Sequence, residues 1–206
     1  MIVDGLRAVF ERRFPGAIIL PYKGTWPEIA ESAFVAPGAV VIGNVTIGDE
    51  SSIWFNTTIR GDIAPITIGA RTSVQDGTVV HVNSDAPVVI GDDVTIGHGA
   101  LVHGAVIGDC VLVGMGAIVL SYSKVGANAV IAAGALIVER VEVPAGAVMV
   151  GLPAKQRSEL DAEQQERLSK FPGRYVGVSR IYRSEIGSAS VPESQRDSIG
   201  ARIDGH

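Results

Sequence analysis

Aliphatic residues recur at every sixth position through most of this chain, and no other feature narrows its fold so far. The series runs Val35, Val41, Ile47, Ile53 and Ile59. It resumes after a three-residue insertion at Ile68, Val74 and Val80, and after a four-residue insertion at Ile90, Ile96 and Val102. One five-residue step leads to Ile107, and the period then holds through Val113, Val119, Val125, Ile131, Ile137, Val143 and Met149. Glycine often follows the aliphatic, and small residues commonly sit four places after it. This is the hexapeptide pattern of a parallel β-helix. Each hexapeptide makes one short strand and one corner. Three make a triangular coil, and coils stack at the ~4.8 Å spacing of paired strands. The aliphatics point inward, and glycine serves corners where a side chain would clash or φ is unusual. The expected class is all-β, a parallel β-helix of about six coils over residues 35–154, followed by a C-terminal α-helix.

The flanks lack the period. Residues 1–34 read as an N-terminal cap segment of strand and loop. Residues 155–186 read as the C-terminal helix, starting at "LDAEQQERLSK" with Asp161 as N-cap and Gln164 three residues on. "FPG" at 171–173 should break or kink it, leaving a second piece over Tyr175 to Ile186. From Gly187 the Ser, Gly and charge content predicts a disordered tail over 187–206.

Composition excludes several classes. The net charge of −5 offers no basic footprint for nucleic acid. A single cysteine, Cys110, excludes an internal disulfide framework and a Cys-rich zinc cluster, and reads as a packed thiol. The first twenty residues carry Asp4, Arg7, Glu11, Arg12 and Arg13, so no secretory h-region is present. No apolar run approaches the ~18–20 residues of a membrane span. A cytoplasmic protein that binds no membrane is expected.

Let Ile90 lie on face A, Ile96 on face B and Val102 on face C of the prism. Ile59 and Val80 then fall on face C, and Val74 on face B. His81 and His103 each follow a face-C aliphatic and occupy equivalent places one coil apart; Arg60 has the same place one coil lower. Ile42 and Leu120 extend this outward column. His98 lies two residues after a face-B aliphatic and is stacked over Asp76, between Phe55 and Met115; Gln75 sits beside Asp76. Two imidazoles starting ~4.8 Å apart can lean toward one zinc, whose bonds to nitrogen are near 2.0–2.1 Å. His98 sits around a corner and cannot join them within its own subunit. It can join from a neighbouring prism if face B of one subunit packs on face C of the next, as heterologous interfaces of cyclic trimers allow. The pattern therefore predicts a homotrimer with three metal sites, each shared across an interface. Arg60, Asp62 and Asp76 are expected to form ion pairs that hold the trimer and shape the site.

"RGD" at 60–62, "QDGTVVHV" at 75–82, "IGHGALVHG" at 96–104 and "GMGAIV" at 114–119 resemble the γ-class carbonic anhydrase family, and "GLPAK" at 151–155 is similar too. The resemblance covers roughly residues 20–185. It implies a left-handed coil and a trimer whose metal takes His81 and His103 from one subunit and His98 from its neighbour. It further implies zinc, with iron or cobalt also used, and reversible hydration of CO2 to bicarbonate by metal-bound hydroxide. Gln75 would orient that hydroxide, Arg60 would pair with an acid, and Tyr175 would match a C-terminal tyrosine near the site. Where the family's best-characterised enzymes carry glutamates, this chain has Ile63 and a short "VNSDAP" loop with Asp85 as its carboxylate, and Ser73 replaces a frequent Asn. These differences predict slow proton export and weak turnover. Two other readings stand beside this one. One is an acyl-CoA-directed acyltransferase or thioesterase of the hexapeptide class, with one histidine as general base. The other is a non-catalytic, metal-stabilised trimer.

Overall fold

The computed structural model describes residues 2–188. The repeat builds a three-faced solenoid of parallel, stacked short strands. On face B the strands beginning at Phe34, Ser52, Ser73, Thr95, Leu112, Val130 and Ala147 stack in order, so the solenoid has seven coils rather than about six. The extra coil is the first. Ile18–Leu20 already pairs with Val40–Ile42, and Glu28–Ile29 with Thr46–Ile47. A hairpin between Tyr22 and Thr25 separates these two strands and hides the period.

The inward aliphatics are buried on every face; Ile53, Ile59, Val80, Ile96 and Val102 have no solvent exposure. Corners are closed by alanines such as Ala100 and Ala117 and by buried Ser and Thr. Thr57 Oγ1, for example, donates to the carbonyl of Gln75 one coil above at 2.9 Å. The insertions in the repeat all fall at the corner between faces C and A. They are the 22–25 hairpin, the bend through 62–65 and the 83–86 loop.

The outward columns differ between faces. On face A they read Glu28, Thr46, Thr67, Val89, Val106, Lys124 and Glu142. On face C they read Ile18, Val40, Thr58, Val79, Leu101, Ile118 and Leu136, with no charge among them. This uncharged column is aliphatic at every position but Thr58.

The N-terminal segment is more than strand and loop. Helix α1 spans Ile2–Arg13. Leu6, Phe10 and Phe14 recur at i, i+4 and i+8, and Phe10 and Phe14 join the main core cluster under the first coil. Phe10 stacks on Trp26 with ring centroids 5.8 Å apart. At the other end, Ala147–Gly151 turns into the antiparallel strand Ala154–Glu159, which lies against the last face-B strand. Helix α2, Ala162–Ser169, begins with the expected capping box: Asp161 accepts from the Gln164 amide at 2.8 Å, and the Asp161 amide donates back to Gln164 Oε1 at 3.0 Å. The chain breaks at Lys170, and helix α3 runs over Phe171–Ser188, starting earlier and ending later than the piece predicted from the sequence. Of the tail expected over 187–206, residues 189–206 lie outside the described residues. Helix α3 packs back along face B over the strands Phe34–Val35, Ser52–Ile53 and Ser73–Val74. Replacing Asp161 by Ala should cost about 1 kcal/mol through loss of the cap, a drop of about 2–4 °C in melting temperature. A melting curve indistinguishable from the parent would show that α2 adds nothing to global stability.

Candidate metal centre

The pairing register puts Ile42, Arg60, His81 and His103 in one column on face C, each opposite the next. His81 Nδ1 and His103 Nε2 approach to 3.2 Å. Two ligands of one tetrahedral zinc lie about 3.3 Å apart, given bonds of about 2.0–2.1 Å. The outer nitrogens are held as well. His81 Nε2 meets Asp62 Oδ1 at 3.0 Å, and His103 Nδ1 meets Ser121 Oγ at 2.8 Å. Asp62 can only accept when ionised, so it fixes the proton on His81 Nε2 and leaves a lone pair on Nδ1. In the tautomer in which Ser121 accepts from His103 Nδ1, the two facing nitrogens both carry lone pairs. A cation between them relieves that repulsion, so these residues fit a metal.

Arg60 pairs with Asp62 of its own chain, through Nη1 and Oδ2. Burial alone would raise the Asp62 carboxyl. Its bonds to His81 and Arg60 outweigh that and hold it below its usual range. Burial, then the neighbouring His81 and Arg60, pushes His103 down from its ordinary value. The folded, metal-free chain therefore keeps His103 neutral where the unfolded chain takes up a proton. This contribution to stability is present above the unfolded value of about 6.5 and is lost as pH falls through the depressed folded value. The unfolding midpoint of metal-free protein should decline as pH drops below about 6.5, and His103→Gln should flatten that decline. A slope unchanged by the substitution would remove His103 as its source.

His98 stands at the corner between faces B and C, half exposed at 52% of its side chain. One column is marked by four corner hydrogen bonds: Gly77 N to Phe55 O, Gly99 N to Asp76 O, Gly116 N to His98 O and Gly134 N to Met115 O. Within it, His98 Nδ1 and Asp76 Oδ2 are 2.8 Å apart. That contact leaves Nε2 directed elsewhere, as a metal-binding histidine with a carboxylate behind it requires. Among the described residues no three His, Cys, Asp or Glu converge as a metal cluster within the chain. His98 and the His81–His103 pair are thus separate parts of a single subunit.

Gln75 and Tyr175 fall on His98's side. A cavity of about 230 Å³ is lined by Trp54, Phe55, Gln75, Asp76, His98 and Tyr175, with α3 as its outer wall. Gln75 is only 3% exposed, yet its Nε2 has no partner. A buried amide donor without a protein partner is free to serve a water or other acceptor in the adjoining cavity. The structure therefore gathers Arg60, Asp62, His81 and His103 in one group and Gln75, Asp76, His98 and Tyr175 in another. Ser121 escaped the sequence reading; its signal is its place one coil above Gly104, next to the column.

Asp85 is engaged by a neighbour. Tyr122 donates to it at 2.7 Å, and Asn83 Nδ2 donates to the Tyr122 hydroxyl at 3.2 Å. A cleft of about 280 Å³ opens on the other flank of Asp62, beside Lys23 and Ile63. Cys110 sits on the distant corner between faces A and B with φ of 55°, and burial pushes its thiol up.

Residues 27–61 match the model of the family described as "Bacterial transferase hexapeptide (six repeats)". A carbonic anhydrase of Geobacillus kaustophilus is 40% identical over 81% of this chain and 92% of its own length. The mitochondrial gamma carbonic anhydrase 2 of Arabidopsis thaliana is 40% identical over 77% of this chain, which spans 59% of that protein. The crystal structure of a hexapeptide transferase family protein from Anaplasma phagocytophilum superposes with a TM-score of 0.77 at 38% identity, covering 80% of this chain and 98% of that one. With a curated relative matched across nearly its whole length, and the histidine, Arg-Gly-Asp and Gln-Asp-Gly positions placed as described, the chain belongs to the γ-class carbonic anhydrase family of hexapeptide-repeat proteins.

Proposed function

We propose that this chain is a carbonic-anhydrase-like metalloenzyme that hydrates CO2 reversibly to bicarbonate in the cytoplasm, at sites shared across the interfaces of a homotrimer. The observation that carries the reading is the pair of imidazole nitrogens on face C, 3.2 Å apart, with the third histidine on a different face of the same prism. The charge-free stripe along face C supports subunit contact there, since burying charges across an interface is costly unless they pair. His81, His103 and the neighbour's equivalent of His98 would hold zinc, or iron or cobalt. When bound with one open position, such a metal supplies an activated water of pKa near 7, a value taken from carbonic anhydrases themselves.

The chain's own residues do the remaining work. Asp62 and Ser121 fix the ring orientations of His81 and His103, and Asp76 fixes that of His98. Gln75 offers its unpaired amide to an oxygen of the reacting water or of bicarbonate. Trp54, Phe55 and Tyr175 give the adjoining cavity the apolar lining that CO2 prefers. The proton leaves by way of buffer or Asp85, and the hydrogen bond from Tyr122 to Asp85 is consistent with slow export.

CO2 hydration should be measured on zinc- and iron-loaded protein with His98→Ala as the control; equal rates would sink the proposal. Gln75→Leu separates chemistry from folding. It removes a buried unsatisfied amide, so thermal stability should hold or rise, while kcat/KM falls about 10²-fold as for other lost transition-state hydrogen bonds. A joint loss of stability and activity would make Gln75 structural. The transferase match of residues 27–61 favours a second reading, acyl transfer or thioester hydrolysis with a CoA donor. Acyl-CoA binding by metal-free protein would support it. Trimers that dissociate on metal removal, with no turnover on either substrate, would favour a purely structural metal.

A further inference from the structure

A cleft of about 260 Å³ opens at the first coil, about three rungs or ~14 Å below the histidine column. Its walls include Phe14, Phe34 and Ile186, and its rim carries Arg12, Arg13 and Arg183. The first two arginines come from the last turn of α1 and the third from α3. Arg13 is spoken for: its Nη2 donates to the carbonyls of Ala30 at 2.8 Å and Ile29 at 3.2 Å, and its guanidinium lies 4.7 Å from the centre of the Phe14 ring. Burial pushes its pKa down, against the nearby Glu31, and the charge of Arg183 adds to the depression.

Arg12 and Arg183 are exposed and, among the described residues, make no hydrogen bond or ion pair. Arg7, Arg60, Arg71, Arg140, Arg167 and Arg180 each hold a carboxylate, while Arg157 and Arg174, like Arg12 and Arg183, form no ion pair among the described residues but stand apart from this cleft. Three guanidiniums around one cleft, in a chain of net charge −5, leave a local positive field, which Glu31 opposes at Arg13. Guanidinium groups are the preferred partners of carboxylate and phosphate oxygens, which they bind in pairs of parallel hydrogen bonds. The floor beneath them is aromatic and aliphatic.

We propose that this cleft binds an amphiphilic organic anion, its phosphate or carboxylate head held by Arg12 and Arg183 and a short apolar body lying against Phe14, Phe34 and Ile186. Arg13 tethers α1 to the first coil and contributes field rather than contact. The site is independent of the metal centre. Its volume lies just below the usual range of ligand pockets, about 300–1,000 Å³, and suits a compact ligand.

Calorimetric titration of the full chain with hexyl phosphate and with hexanoate tests this, with inorganic phosphate and hexanol as controls. One of the two amphiphiles should bind saturably, and which one does identifies the head group. Arg12→Glu together with Arg183→Glu should weaken that binding by about tenfold or more while leaving the melting temperature and zinc content unchanged. Ile186→Asn, which leaves all three arginines in place and adds no charge, should weaken the amphiphile but not inorganic phosphate. Wild-type affinity in the double reversal would overturn the proposal. So would hexanol binding as well as the anions, or no saturation by either amphiphile up to about 10 mM.

Discussion

A His98→Ala chain and a His81→Ala chain, each inactive alone, should recover activity when assembled together. In a cyclic trimer each site would take His81 and His103 from one subunit and His98 from the next. Every mixed trimer, whether two of one variant and one of the other or the reverse, contains one junction at which all three histidines are intact. Random assembly of equal amounts makes about three quarters of trimers mixed, so about a quarter of wild-type sites should return. Each parent should fall by about 10²-fold or more, the scale of losing a group on which a metal site depends. Zinc content and hydration rate should recover in proportion. A mixture no more active than its parents would mean that the three histidines do not meet across an interface. The geometry demands the experiment, because within one chain His81 and His103 share a face while His98 is paired with Asp76 at a corner.

Gly97→Ala should be strongly destabilising, although the nearest contacts of the added methyl group include no histidine. A Cβ there would stand 2.6 Å from the amide nitrogen of Met115 and 3.0 Å from the carbonyl carbon of Gly114. Both belong to the backbone of the next coil, which is locked into its own stack and cannot step aside. Overpacking of this kind costs about 3 kcal/mol, which lowers the melting temperature by about 6–12 °C in a chain of this size. Gly99, two residues on, is a useful contrast. A Cβ there meets nothing within 4 Å, but its φ is +65°. Gly99→Ala should therefore cost only the left-handed penalty of about 1–2 kcal/mol. Scanning calorimetry on both variants decides between the two causes; a larger loss at Gly99 would refute the close-approach argument for Gly97.

The register of the solenoid was legible because a period of six leaves little freedom. Once Ile96 and Val102 are assigned inward, His81 and His103 have to stack and His98 has to turn a corner. What stayed hidden lies where the period breaks or where contacts are long-range. The first coil was missed because seven residues separate Leu20 from Glu28. Helix α1 was missed because its helical spacing of Leu6, Phe10 and Phe14 is short and its burial depends on the open end of the solenoid. Ser121 is 18 residues from His103 in sequence but one coil away in space. The unpaired Gln75 amide, too, depends on α3 folding back over face B, which no local pattern announces.

The three insertions that interrupt the repeat share one edge of the prism, the corner beside the histidine column. In a solenoid each coil answers only to its neighbours above and below, so a loop on that edge can grow, shrink or change its charges while the stack keeps its register. The chain thus divides inheritance in two. The histidine-bearing rungs are bound to a strict metre, and the edge beside them is free verse. A longer or more acidic version of the 83–86 loop could be spliced in without moving either histidine of the pair.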